Sequence, residues 1–344
     1  MINVGVVGCG YWGPKHIRVC HELAEANLTT VCDLDEKRLN QVKTQYPYVK
    51  TTTNFKEFLK SDVQAIVIST PVNTHYQLAR EALLCDKHAL LEKPITSSSR
   101  EAMELIELAD KRNLVLMAGH TYEYHPAVDF LKEIVSNGEL GDIYSIDADR
   151  LNLGLYRPDV NVLWDLAPHD ISIMLTILND DPIAVSARGT YHVDGVCDIA
   201  YLEVLFSNGT MGHVHVSWLH PRKIREITIV GSKKMAVYND VSEAEKIYIY
   251  DKGLTMSNDG NGNNGFGSWP PNYRYGDVTI PFIANAEPLK QECSHFITCV
   301  ADGKKPNSDG WAGLKVTSIL EAADKSLTNG GQRIKLDLAT MAIV

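Results

Sequence analysis

Two stretches carry residue types and spacings suited to chemistry on a bound small molecule. Gly8-Cys9-Gly10-Tyr11-Trp12-Gly13 places three glycines in a G-x-G-x-x-G pattern, and Asp33 follows Gly13 by twenty residues. In such a loop the first glycine permits a tight turn, the second lets the backbone approach a pyrophosphate, and the third allows close helix–strand packing. The following helix would turn its N–H groups and positive dipole end toward the phosphates, with Tyr11 and Trp12 beside them. A carboxylate at Asp33 can accept from both ribose hydroxyls and would repel a 2′-phosphate, which favours NAD over NADP; Lys37 and Arg38 lie close by and oppose that preference. The second stretch is Glu92-Lys93-Pro94, a charged pair at the end of a predicted buried strand. An unpaired buried charge is costly, so the pair calls for a partner or a task.

The elements that must position these residues alternate between strand and helix. Short apolar runs at 2–7, 28–32, 65–69, 89–91 and 114–118 read as buried parallel strands. Helical patterns lie between them at 14–26, 35–45, 55–59, 75–84 and 99–112, which predicts a doubly wound parallel sheet. Pro14 suits a first helical turn. In such sheets ligands bind outside the carboxyl ends of the strands, so Thr70, Pro71, Asn73 and His75 are candidates to line a dinucleotide. A helix cap at Asn73 or Thr74 is the competing and compatible reading.

After about residue 120 the pattern changes. A helix is predicted at 126–136 and another at 168–178. Longer alternating strands are predicted at 143–152, 183–192, 200–206, 209–219, 226–230 and 234–238, with Ser207-Asn208-Gly209 as a hairpin signal. This predicts an α+β region with an open, mostly antiparallel sheet and helices on one face. The expected division is 1–121 and 122–344, with closing helices at 287–301 and 310–327 that could pack back on the first part. Residues 251–276, rich in Gly, Asn and Asp, read as a long surface loop or a lid.

Bulk properties narrow the classes. The chain has 344 residues, 44% apolar and 22% charged, which suits two globular domains at roughly 100–200 residues each. A net charge of −10 argues against nucleic-acid or anionic-membrane partners. The 7 cysteines form no C-x-x-C pair and no metal-ligand pattern, so no metal is expected and a cytoplasmic, reduced setting is. No secretory signal and no apolar run long enough for a membrane span is read.

Together the glycine loop and Glu92-Lys93-Pro94 make the sequence resemble the glucose–fructose oxidoreductase / inositol dehydrogenase (Gfo/Idh/MocA) family over essentially its whole length. The resemblance implies an N-terminal Rossmann domain, an open-sheet α+β domain and a nicotinamide cofactor. It implies that Lys93 lies near the nicotinamide and the reacting hydroxyl, that Glu92 touches the cofactor side, and that Pro94 holds the turn, often through a cis bond. An ammonium at that place would stabilise a developing alkoxide. The family's D-x-x-x-H motif matches Asp165-Leu166-Ala167-Pro168-His169, followed by Asp170. With Pro168 read as a first-turn proline, His169 falls in the first turn of a helix and Asp165 just before it. The helix dipole would then keep His169 neutral, as a general base must be.

His120 and Tyr122, in Gly119-His120-Thr121-Tyr122-Glu123-Tyr124-His125-Pro126, depart from the Arg or Asn common there in the family. A place facing the cofactor–substrate cleft and a structural role are equally open for them. The stretches 150–164 and 216–233 resemble relatives that oxidise the 3-hydroxyl of UDP-N-acetylglucosamine or its uronic acid. Arg150, Arg157 and Arg225 would then serve a diphosphate, with Asn152 and Asn161 as neutral partners, or else sit in surface pairs. Three alternatives stand beside this reading: a free-sugar or inositol dehydrogenase, a redox-neutral glycosidase with held NAD, and a non-catalytic NAD(H)-binding protein. One uncovered face of the predicted open sheet predicts a homodimer or homotetramer.

Overall fold

The computed structural model describes residues 1–154, 156–157, 160–255 and 272–337. It divides into two compact units, one of Met1–His125 with Ala286–Lys325 and Leu336–Val344, the other of Pro126–Asn285 with Ser326–Lys335.

The first unit alternates β1 (Ile2–Val7), α1 (Gly13–Glu22), β2 (Ala26–Cys32), α2 (Glu36–Gln45), β3 (Lys50–Thr52), α3 (Phe55–Leu59), β4 (Ala65–Ile68), α4 (His75–Leu84), β5 (His88–Glu92), α5 (Ser99–Arg112) and β6 (Leu116–Gly119). Among the described residues these strands form one parallel sheet in the order β3-β2-β1-β4-β5-β6. Both faces are covered, which is why the strands read as unbroken apolar runs rather than alternating ones. Val4, Val6, Ala65 and Val67 point into one core with Ile17 and Cys20 of α1. Val7, Ile66 and Ile68 point into the other with Leu83 of α4 and Leu105 of α5. The order reverses between β1 and β4, the switch point at which such sheets bind ligands. The polar strand β3, Lys-Thr-Thr, carries no apolar signal and was not expected.

The second unit begins with α6 (Pro126–Ser136), β7 (Ile143–Leu153), α7 (Val162–Leu178), β8 (Pro182–Thr190), β9 (Ile199–Phe206) and β10 (Met211–Ser217). It continues with β11 (Leu219–Gly231), β12 (Met235–Asn239), β13 (Ile247–Thr255) and β14 (Asn272–Thr279). The chain then adds α8 (Pro288–Asp302) and α9 (Gly310–Thr328), which through Lys325 belong to the first unit, and β15 (Ile334–Lys335), which returns to the second. Leu289, Cys293, Phe296 and Ile297 of α8 complete the core shared by β1 and α1. Among the described residues the second sheet has the order β14-β13-β12-β11-β7-β10-β9-β8-β15, antiparallel at every pairing except β10 with β7. Along β9, Ala200, Leu202, Val204 and Phe206 are buried while Tyr201 and Glu203 are exposed, the alternation of a sheet covered on one face. The β9–β10 turn carries Gly209 at φ +90, as its hairpin signal predicts.

Three expectations are corrected. The helix expected from Pro168 starts six residues earlier, at Val162, because the Asn161 side chain accepts from Trp164 N and caps it; Pro168 lies in its interior. The separate strand expected at 226–230 is the end of the longer β11, whose pairing with β7 skips register between Leu219 and Ile224. The loop expected at 251–276 is flanked by paired strands, since residues 251–255 end β13 and residues 272–276 open β14; its centre, 256–271, lies outside the described residues.

Candidate active site

The glycine loop joins β1 to α1 at the sheet's switch point. Gly8 has φ +92, and a Cβ there would stand 2.8 Å from the Ser69 carbonyl oxygen. A Cβ on Gly13 would strike the Gly8 carbonyl oxygen at 2.0 Å, so this helix start requires glycine. A Cβ on Gly10 would meet nothing within 4 Å. That open space over the backbone is where a pyrophosphate could approach, beside the N-terminus of α1. Tyr11 is largely exposed, and the Lys15 ammonium lies 3.8 Å from its ring centroid and 4.1 Å from that of Trp12. This cation–π clamp holds a positive charge in the first turn of α1. Lys15 was not singled out from the sequence, although its place two residues after Gly13 in a phosphate-binding turn was a usable signal.

Asp33 is buried at the end of β2. Its Oδ2 accepts from Cys9 N of the glycine loop, and its Oδ1 from Asp35 N at 2.8 Å. The capping of α2 falls to Asp35, which accepts from Lys37 N, so Asp33 is not a helix cap. Each carboxylate oxygen keeps a second lone pair for a ribose hydroxyl. Arg38 stands 3.8 Å from Asp33 and 3.6 Å from Asp35, which balance its charge. Burial, then the nearby Asp33 charge, pushes the Cys9 thiol up to about 12, so it stays protonated and is no nucleophile.

Thr70, Pro71 and Asn73 follow β4 at the same sheet edge. Thr70 Oγ1 accepts from Thr74 Oγ1 at 2.7 Å. Residues 72–74 form a short 3-10 turn in which neither Asn73 nor Thr74 makes a side-chain cap. His75 is buried, with Nε2 2.9 Å from the Thr70 carbonyl and Nδ1 3.0 Å from that of Pro94. Burial lowers its pKa, and a neutral ring has one N–H to donate to these carbonyls. His75 ties the turn after β4 to the turn after β5; it is spent on the protein's own backbone.

That second turn is Glu92-Lys93-Pro94, with the Lys93–Pro94 peptide cis. Glu92 is buried. Its Oε1 lies 2.8 Å from Nε2 of the fully buried His16 on α1, and its Oε2 accepts from Lys93 N at 3.2 Å. Burial alone would raise the Glu92 carboxyl; the His16 hydrogen bond and the charges of His16 and Lys93 reverse this and hold it below the ordinary value. His120, after β6, is fully buried, and neither ring nitrogen has a hydrogen-bond partner among the described residues. Burial takes it down to about 4, with Glu92 opposing and Lys93 assisting. It is thus a neutral buried ring near Glu92 and Lys93. Tyr122 is half-buried in the turn that follows. Thr121 Oγ1 donates to Glu292 of α8 at 3.0 Å, and Glu292 is pushed well above the usual carboxyl range by burial and by the charge of Glu92. His16 and Glu292 escaped the sequence reading. The signal was present: each interrupts the apolar stripe of its helix, with Gly13, Ile17 and Cys20, and with Leu289, Cys293 and Phe296.

In the second unit, Asp165 lies in the first turn of α7 and His169 one turn later. The spacing of four puts them on one helix face. The positive end of the helix dipole therefore lies at Asp165, and His169 stands one turn further into the helix. Asp165 Oδ2 accepts from Trp218 Nε1 at 3.0 Å, and Oδ1 pairs with Arg157 at 3.5 Å. His169 is nearly buried. The next residue, Asp170, takes a buried fork from Arg150 at 2.7 and 2.8 Å, which fastens α7 to β7. Arg225 pairs with Asp240 at 3.3 Å. Asn161 serves as the cap of α7, and Asn152 lies in β7 beside Gly154. All three arginines read as diphosphate ligands thus have a carboxylate partner within the fold. No cluster of His, Cys, Asp or Glu suited to a metal occurs among the described residues.

Residues 2–120 match the oxidoreductase family with an NAD-binding Rossmann fold, and residues 128–237 match the GFO/IDH/MocA C-terminal domain. UDP-N-acetylglucosamine 3-dehydrogenase of Acidithiobacillus ferrooxidans is 27% identical over 92% of this chain and 94% of its own. Its solved structure superposes with a TM-score of 0.78 over 95% of this chain and 98% of that one, at 25% identity. Myo-inositol 2-dehydrogenase of Thermotoga maritima is 25% identical over 95% of this chain and 96% of its own. The structure of GenD2 from gentamicin A biosynthesis, in complex with NAD, has a TM-score of 0.81 over 98% of this chain and 96% of that one, at 23% identity, and attests the fold. With a glycine loop that leaves room for a pyrophosphate, a buried carboxylate at the end of β2 and both domains matched, the chain belongs to the Gfo/Idh/MocA family of NAD-dependent sugar oxidoreductases.

Proposed function

We propose that this oxidoreductase oxidises a ring hydroxyl of a sugar, foremost the 3-hydroxyl of a UDP-N-acetylhexosamine or its uronic acid. The observation that carries the reading is the Asp165–His169 pair on one face of α7, with Asp165 held by Trp218 and Arg157. His169 accepts the hydroxyl proton, and Asp165 stabilises the imidazolium as it forms. Lys93 stabilises the developing alkoxide. NAD, when bound, supplies the hydride acceptor at its nicotinamide. Gly8, Gly10, Gly13 and the start of α1 hold its pyrophosphate, with Tyr11 and Trp12 alongside, and Asp33 its ribose. Thr70, Pro71 and Asn73 line the same sheet edge. Tyr122 and Asn152 contribute to the substrate side.

The nucleotide-sugar substrate is supported by the Acidithiobacillus relative. One observation favours a second reading, a free sugar or inositol: Arg150, Arg157 and Arg225 already face Asp170, Asp165 and Asp240. The test is a screen of NADH formation with UDP-N-acetylglucosamine and its uronic acid against free sugars and myo-inositol. Turnover confined to the UDP-sugars supports the first reading; turnover confined to free sugars or inositol replaces it with the second. We further infer a cytoplasmic homodimer or homotetramer, in keeping with a second sheet whose β9 alternates buried and exposed side chains. No described helix is long and apolar enough to cross a membrane.

A further inference from the structure

His16 has no place in the motif reading, yet it sits fully buried on α1, the helix after the glycine loop, against Glu92 of the Glu92-Lys93-Pro94 turn. An ionised carboxylate only accepts hydrogen bonds, so the 2.8 Å contact with Glu92 requires the hydrogen to be on Nε2 of His16. Its Nδ1 faces the Cys293 thiol of α8 at 3.6 Å. That thiol is held protonated by its hydrogen bond with Cys20 and by burial. The ring is therefore fixed from both sides. Glu92 in turn uses its other oxygen to accept the backbone N–H of Lys93. A continuous run of hydrogen bonds leads from α8, through α1, to the backbone of Lys93, all within the first unit.

We propose that His16 is a positioning residue for Lys93. It holds the Glu92 carboxylate in the orientation from which Glu92 carries the Lys93 amide, so the helix that receives the pyrophosphate also fixes the lysine turn. This rests on the reading that Lys93 acts on the substrate. His16 is only 1% exposed, so it acts through Glu92 rather than directly on substrate or cofactor.

Hydrogen exchange at the Lys93 amide, read by mass spectrometry on the intact protein with and without NADH, tests it without needing the substrate. Pro94 has no amide, which isolates the Lys93 signal in short peptides. His16→Ala speeds exchange at Lys93 by about tenfold, the value of one hydrogen bond. His16→Gln, whose amide nitrogen reaches the Nε2 position, stays within about twofold of the parent, whereas His16→Asn, which reaches only the Nδ1 position, behaves as His16→Ala. On a Glu92→Gln background, His16→Ala adds no further acceleration. Where His16→Ala does not fold, the Gln and Asn pair decides. Equal exchange in Gln and Asn, unchanged exchange in Ala, or additive effects with Glu92→Gln overturn the proposal. Turnover of Lys93→Ala separates the two layers: a variant with near-parent turnover removes the underlying reading whatever the exchange data give. Loss of turnover there, with Lys93 exchange indifferent to His16, removes only this inference.

Discussion

Glu92 and Glu292 are buried carboxyls that the fold drives in opposite directions. His16 and the Lys93 charge hold Glu92 below the ordinary carboxyl value despite its burial, whereas burial and the repulsion of Glu92 push Glu292 well above it, against the Thr121 hydroxyl. His120, near Glu92 and Lys93, refuses a proton until about pH 4, against an ordinary 6.5. Between those values the unfolded chain binds a proton that the folded chain does not. The stability tied to His120 is thus complete above 6.5 and is lost as the pH falls through about 4. The span corresponds to roughly 3 kcal/mol. In His120→Gln the fall in melting temperature over this range is expected to be shallower than in the parent; parallel curves would show that the ring is not held neutral. At the cofactor, Asp33→Ala is expected to weaken NADH binding by roughly tenfold to a hundredfold in a fluorescence titration, the value of a charged hydrogen-bond acceptor. An unchanged affinity would remove Asp33 from the ribose. The glycine loop was readable because backbone sterics fix its residue types and spacing, and Asp33 falls where the sequence placed it, buried at the end of β2. His16 and Glu292 were not found, because their partners lie 76 and 171 residues away and only the fold brings them together.

At the scale of the element, α7 shows how one misplaced boundary changes the chemistry. Pro168 read as a helix start puts His169 at the positive end of a dipole. The capped start at Val162 puts Asp165 there instead. The competing signal was Asn161, three residues before Trp164, and it outweighed a proline that an interior position tolerates at some cost. Asn161→Ala is expected to lower stability by about 1 kcal/mol in denaturant titration. Arg150→Ala, which leaves buried Asp170 without its forked partner, is expected to cost about 3–5 kcal/mol. A loss below that of the cap variant would mean that the Arg150–Asp170 pair does not anchor the helix. The second sheet was legible where apolar and polar residues alternate, as in β9 and β10. It was not legible in β13 and β14, where a Gly- and Asn-rich run between the strands masked their pairing.

For the whole molecule, the alternation of strands and helices followed by helix-poor strands set out both sheets, because parallel and antiparallel sheets bury different faces. The helix α8 joins the first core through a stripe that the chain supplies only after the second sheet is complete. On one face of that second sheet His213 pairs with Asp147 at 2.8 Å, His215 with Asp149 at 3.1 Å, and Tyr201 stacks on His215 at 4.2 Å. Light scattering is expected to give two or four times the 38.2 kDa chain mass, and a monomer at micromolar concentration would contradict this. The proposal that Lys93 and His169 are the catalytic pair of an NAD-dependent sugar oxidation is open to direct test. Its most direct measurement is kcat of Lys93→Ala and His169→Ala on the best substrate of the screen, alongside NADH affinity. The expected result is a loss of about 10²–10⁴ in kcat for each, with NADH affinity within about threefold of the parent. Either variant turning over within about twofold of the parent would contradict the assignment.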